Sequence, residues 1–353
     1  MRQKQLLLIS LALFTALVLS AACLRLGHGA PLPSQKPLWT YETEGFIIST
    51  PFVTDDTVYV GSGDGHLYAL DAGTGALKWS FETAGAIYSS PTVKGGVVYV
   101  GSHDGALYAL DAGSGELLWK AETTAPVYAT PAITDDTVYF SSTDSQLYAL
   151  DKNNGSLKWS FKTGALIVTS PAVYEGLVIT GSCDDNIYGV DLGTGKEVWT
   201  VPTEGAVVSS PRVKEGVIYV GSHDGSLYAI DALTGDVLWK YGTGGSVQSS
   251  PAVYRDSVFF GSDDGSLYAV NARTGELVWK YRANASVFSS PAVYRGIVYF
   301  GAGKRVFGLD ADTGELVWSF ETEDSIYSSP RVRDDMLYIG SYDHRLYAFK
   351  LVS

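Results

Sequence analysis

Eight tryptophans stand at Trp39, Trp79, Trp119, Trp159, Trp199, Trp239, Trp279 and Trp318, with six intervals of forty residues and a last one of thirty-nine. A second column, Pro51, Pro91, Pro131, Pro171, Pro211, Pro251, Pro291 and Pro330, repeats this spacing, short final step included. Both short steps contain the segment Gly301–Arg305, where a turn has lost one residue relative to Gly261–Gly265, so one deletion accounts for both. Length alone, at 353 residues, would suggest about two domains. The period overrides that reading. A fixed repeat near forty residues restricts the chain to a propeller, a solenoid or another array.

The second repeat unit shows which. It runs Ala86-Ile-Tyr-Ser-Ser-Pro-Thr-Val, Val97-Val-Tyr-Val-Gly, Ala106-Leu-Tyr-Ala-Leu-Asp and Glu116-Leu-Leu-Trp-Lys. Turn signals separate these β-rich runs, at Lys94-Gly95-Gly96, His103-Asp104-Gly105 and Gly113-Ser114-Gly115. Four antiparallel strands per forty residues make a propeller blade. The first strand belongs at the central channel, where small side chains fit; Ser49, Ser89, Ala129, Thr169, Ser209, Ser249, Ser289 and Ser328 supply them. Leu38-Trp39-Thr40-Tyr41 is a fourth-strand motif with no blade before it, and Ser328–Lys350 holds three strands and no tryptophan. The predicted fold is therefore an all-β, eight-bladed propeller of four-stranded antiparallel blades, closed where the N-terminal strand joins the C-terminal blade. Closure of this kind protects strand edges.

Each unit also carries a fixed-offset motif, as in Ala69/Asp71/Gly75/Trp79, Ala109/Asp111/Gly115/Trp119, Ala149/Asp151/Gly155/Trp159 and Ala229/Asp231/Gly235/Trp239. Gly189 and Gly308 replace the alanine in two units, and Asn271 replaces the aspartate in another. The motif resembles the tryptophan-docking motif of quinoprotein-type (PQQ-like) propellers, over about residues 38–350. The residues themselves read as structure: the aspartate caps the following turn, the glycine suits positive φ, and the tryptophan fills the wedge between blades. The resemblance implies two kinds of function. Quinoprotein dehydrogenases oxidise alcohols or sugars with a quinone and calcium, whereas the propeller lipoproteins of the outer-membrane β-barrel assembly machinery are exported, non-enzymatic scaffolds.

The units are nearly uniform, without a long insertion to build a pocket. Cys183 stands alone in the repeats, so the adjacent-cysteine disulfide of many such dehydrogenases is missing, as is a haem-attachment Cys-x-x-Cys-His. The expectation is a binding scaffold with no cofactor, PQQ being disfavoured; a small quinone-dependent oxidoreductase is the alternative. A net charge of −13 argues against nucleic-acid binding. The expected partner is a protein or peptide.

Residues 1–22 read as an export signal: Arg2 and Lys4, then an apolar run from Leu6 to Ala22. Leu19-Ser20-Ala21-Ala22-Cys23 resembles a bacterial lipoprotein cleavage site, which would make Cys23 the lipidated residue. Plain cleavage after Ala22 and an uncleaved anchor are the other readings. Residues 23–37 would form a proline-containing tether and residues 38–353 the propeller. This places the protein in the periplasm or cell envelope, touching membrane only through a lipid or anchor.

Binding is sought where the repeat breaks. Asp64, Asp104, Asp144, Asp184, Asp224, Asp264 and Asp343 recur in the turn between second and third strands and read as hairpin chemistry. His66, His103, His223 and His344 lie in the same turns, on blades too far apart to share a zinc ion, so no metal site is expected. The column Ile48, Tyr88, Tyr128, Val168, Val208, Gln248, Phe288, Tyr327 is variable and half aromatic, as a channel mouth that contacts a partner would be. Lys304 and Arg305 replace the acidic turn of the seventh blade beside Tyr342 and His344, a local basic patch on an acidic rim. The candidate binding residues are therefore Tyr88, Tyr128, Gln248, Phe288, Tyr327, Lys304, Arg305, Tyr342 and His344, with no catalytic residue.

Overall fold

The computed structural model describes residues 30–352; the signal segment and Cys23 lie outside them. None of the described residues is helical. They form seven four-stranded antiparallel sheets and one five-stranded sheet. The first complete blade comprises β1 (Phe52–Val53), β2 (Thr57–Gly61), β3 (His66–Asp71) and β4 (Leu77–Glu82). The pattern then recurs through the seventh blade, which ends at Leu316–Glu321. In the eighth, Arg331–Arg333, Met336–Gly340 and Arg345–Val352 supply three strands. Trp39–Glu42 supplies the fourth, antiparallel to the last of these, with Trp39 opposite Ala348. Leu32–Pro33 continues the same edge, opposite Leu351–Val352. The ring closes as the repeat count requires.

Within a blade, Tyr99, Ala109 and Trp119 lie side by side on three neighbouring strands. Small Ala109 lets the two large rings flank it. Seven of the eight tryptophans, Trp318 excepted, then hydrogen-bond to the next blade: Trp79 Nε1 donates to the Ala112 carbonyl at 3.1 Å, and Trp39 Nε1 to that of Ala72 at 3.1 Å. The motif glycine is explained by the same contact. Gly75 sits at φ +74, and a Cβ there would come within 2.6 Å of the Trp39 ring. The aspartate caps its turn, Asp71 Oδ1 accepting from the backbone N–H of Gly73 and Thr74 at 3.1 and 2.9 Å.

The column Ile47, Ile87, Val127, Ile167, Val207, Val247, Val287 and Ile326 is buried throughout. These side chains lock blade to blade, since a Cβ on Gly61 would lie 2.2 Å from Ile87. Around the channel, Ser89 Oγ donates to the Ala129 carbonyl one blade on at 2.8 Å. Ser328 Oγ donates to the Ser49 carbonyl at 2.9 Å, carrying this link across the closure.

Candidate docking face

Antiparallel order puts two kinds of connection on one face of the ring: the segments that enter each first strand and the turns between second and third strands. The sequence-predicted binding residues lie in these connections. What the structure adds is their continuity. Phe288 stacks on Tyr327 with centroids 5.3 Å apart, and Tyr327 meets Tyr342 at 4.8 Å. Tyr342 stacks on Phe46 at 4.6 Å, and Phe46 on Tyr88 at 5.4 Å. His103 wedges edge-on between Tyr88 and Tyr128, at 4.4 and 4.2 Å. The aromatic chain thus runs from the entry of the seventh blade, across the closure, to the entry of the third. The remaining entries carry Val168, Val208 and Gln248.

The face is half wet: Tyr128 and Tyr327 are 37% and 39% exposed, while Phe46, Tyr88, Phe288 and Tyr342 are partly buried. Burial holds the Tyr88, Tyr128 and Tyr342 hydroxyls above the ordinary phenol range, so the rings present neutral O–H groups. Burial also lowers the His103 pKa, and its Nε2 is buried without a hydrogen-bond partner. His103 is thus a neutral spacer between two rings at pH 7.

Sequence reasoning did not single out Phe46 and His103, yet they make the chain continuous. The signal for Phe46 was present: in the column Phe46, Ala86, Pro126, Leu166, Ala206, Ser246, Ser286, Ser325 it is the sole aromatic. Gly63 lies against it, the Gly63 N–H donating to the Phe46 carbonyl at 2.9 Å.

The other candidates take different roles. Gln248 Nε2 donates to Asp263 Oδ2 at 2.8 Å, fixing it to its own blade. Arg305 pairs with Glu321 at 2.7 Å, and Lys304 Nζ donates to the Glu323 carbonyl at 2.8 Å. Both cations are exposed. His344 adopts φ +68 in its turn, and its carbonyl accepts from the Thr43 N–H at 2.8 Å across the closure.

The turn aspartates are structural ties. Asp104 Oδ1 accepts from the Ala106 N–H at 3.0 Å, while Oδ2 accepts from the Tyr108 hydroxyl at 2.6 Å and the Ala84 N–H at 3.1 Å. Asp64 and Asp343 repeat all three bonds. Among the described residues no group of three His, Cys, Asp or Glu side chains gathers to hold a metal ion.

A family model described as Outer membrane protein assembly factor BamB matches residues 164–351. One described as Beta-alanine-activating enzyme, beta-propeller matches residues 30–217. Each spans more than half of the chain. The chain belongs to the PQQ-like β-propeller family. Among solved structures, this PQQ-like propeller is similar to BamB from Moraxella catarrhalis, with a TM-score of 0.80 and 22% identity over 91% of this chain and 100% of that one. It is similar to the computationally designed Ika8 protein, with a TM-score of 0.78 and 18% identity over 90% of this chain and 100% of that one. It also resembles a europium-containing methanol dehydrogenase, with a TM-score of 0.75 and 14% identity over 90% of this chain and 93% of that one. Likenesses at these identities establish the fold alone. No curated protein sequence matches this chain.

Proposed function

We propose that this PQQ-like propeller is an exported, non-enzymatic scaffold of the cell envelope that docks a protein partner during outer-membrane protein assembly. The observation that carries the reading is the unbroken aromatic chain from Phe288 to Tyr128 on one face of the ring. Protein interfaces concentrate their binding energy in clustered, partly preburied aromatic anchors, which lose little rotamer entropy on docking. The family match to an outer-membrane assembly factor supports the process, and the export signal read at residues 1–22 supports the compartment. Cys23 is the proposed lipid attachment point.

The test is a photo-crosslinking residue placed at Tyr128 in cells, with Leu233, 55% exposed in a turn of the opposite face, as control. Crosslinking of Tyr128 to a β-barrel assembly component, with Leu233 silent, is the expected result. Equal labelling from both positions, or none from either, would refute the docking face.

The dehydrogenase likeness keeps a small quinone-dependent oxidoreductase as the second reading. A visible absorption spectrum of the purified protein separates the two. A bound chromophore that bleaches with an alcohol or sugar would sink the scaffold reading.

A further inference from the structure

The opposite face opens into the central channel, a cavity of ≈ 560 Å³. Its lining is nearly uncharged, and the exceptions share one sign. In the column that follows the repeated proline, six units carry Phe52, Thr92 or alanine, while Arg212 and Arg331 break the pattern. These two are the charged side chains that line the cavity among the described residues. No carboxylate accompanies them, although the chain as a whole carries a net charge of −13.

Arg331 is poorly compensated. Its Nε is buried without a hydrogen-bond partner, and its guanidinium lies 5.5 Å from the centre of the Phe52 ring. Burial first, and then the nearby Arg333 and Arg212 charges, lower its pKa from the ordinary arginine value. Among the described residues the arginine ion pairs belong to Arg255, Arg295, Arg305, Arg333 and Arg345. Arg331 as a whole is partly buried, and a guanidinium whose Nε is sealed from water with no partner and no counter-charge costs stability that a fold retains only where something offsets it.

The uncharged part of the wall has the same polarity. The Thr50 N–H donates to Ser90 Oγ on the next blade at 2.8 Å, and the Ser290 N–H to Ser329 Oγ at 2.9 Å. The same bond joins Thr130 to Ser170 at 2.9 Å and Ser210 to Ser250 at 3.1 Å. A serine oxygen that accepts a backbone N–H still has its own O–H to donate. The lining therefore presents hydroxyl donors beside two guanidinium groups.

We propose that the channel binds a small oxyanion, a phosphate or a carboxylate, held between Arg212 and Arg331. Guanidinium forks suit both chemistries. The two arginines come from the fifth and eighth blades, so the bound anion would tie these two blades together across the channel.

Thermal denaturation of the whole protein tests this, with inorganic phosphate and citrate as probes and sodium chloride at matched ionic strength as control. The parent should melt about 5 °C higher at a hundredfold excess of probe over Kd. A response to phosphate alone or to citrate alone identifies the source. R331Q and the exposed-side R212Q should each weaken binding by about tenfold to a hundredfold. Free R331Q should melt no lower than the parent, because it removes an uncompensated charge. No rise beyond the chloride control, or a rise that persists in both variants, would overturn the proposal. So would a free R331Q that melts several degrees lower, since Arg331 would then be a structural side chain.

Discussion

Phe46 and Tyr342 stack with centroids 4.6 Å apart and planes 10° from parallel, although they enter the ring from opposite ends of the chain. The connection that follows the closing strand Trp39–Glu42 therefore also completes the candidate docking face. On the proposed docking role, fold closure and partner binding would be coupled at this one contact.

The coupling is open to mutation. F46A and Y342A should each reduce partner capture by about tenfold or more, the loss expected when a central aromatic anchor is truncated. Both residues are only partly buried, so the variants should keep a cooperative unfolding transition. Quantitative crosslinking alongside circular dichroism checks this. Folded variants with undiminished capture would remove the aromatic chain from the interface.

Lys304 and Arg305 edge the same face. Lys304 pairs with Asp324 at 3.9 Å and Arg305 with Glu321 at 2.7 Å; both pairs are exposed, and such pairs contribute at most about 1 kcal/mol, so both cations remain available to an anionic partner. K304E/R305E should slow association, with a parent on-rate that falls as salt rises. Surface plasmon resonance across a salt series reads this. An unchanged on-rate would take the patch off the interface.

The ring was legible in the sequence because Trp79, Asp71 and Gly75 do the same job in unit after unit, and repetition turns packing into a visible column. Ile87 could be assigned to the interblade core for the same reason. The docking face was only half legible. Tyr88 and Tyr327 stood out within one column, but Phe46 and His103 belong to two others, and only folding brings the three columns together. Arg212 escaped notice because a single arginine in a strand looks like surface until the channel wall around it is known. Lys304 and Arg305 stood out as a patch, while their contacts to Glu321 and Glu323 appear only in three dimensions.

Gly75 tests the structural reading of the repeat. Alanine there meets the Trp39 ring at 2.6 Å and must adopt φ +74, so G75A should cost about 2–4 kcal/mol through overpacking and backbone strain. Gly95 is the control. It too has positive φ, +63, but nothing lies within 4 Å of an added Cβ, and Glu175 and Arg255 occupy the equivalent turn position at φ +43 and +51. G95A should cost about 1 kcal/mol or less. Urea unfolding of the two variants gives the comparison, and equal costs would rule out the tryptophan contact as the constraint.

The tryptophans themselves are unequal. Trp279 Nε1 donates to the Ala311 carbonyl at 3.0 Å, whereas Trp318 Nε1, facing the closing blade, is buried without a partner. Replacement by phenylalanine shrinks both rings but breaks a hydrogen bond only at Trp279. W279F should therefore be less stable than W318F by about 1 kcal/mol or more. Matched denaturation curves decide it, and the reverse order would contradict the assignment.

Alkaline pH tests the aspartate ties. Tyr347 donates to Asp343 at 2.8 Å, and burial, followed by this bond, raises its pKa from 10.0 to about 12. Burial first, and then the Asp334 and Asp71 charges, raise Tyr338 to about 12, and Tyr68, Tyr108, Tyr148 and Tyr188 rise for the same reasons as Tyr347. In the unfolded chain these phenols lose their protons near pH 10, while the folded protein still holds them. The unfolded state thus binds fewer protons between about pH 10 and 12, and stability must fall as pH rises through that window. Below about pH 9 these tyrosines contribute no slope. The melting temperature should accordingly be flat from about pH 8 to 9 and then drop, with Y347F dropping less steeply than the parent because one linked proton is gone. An equal slope in Y347F would show that the Tyr347–Asp343 pair does not control alkaline unfolding.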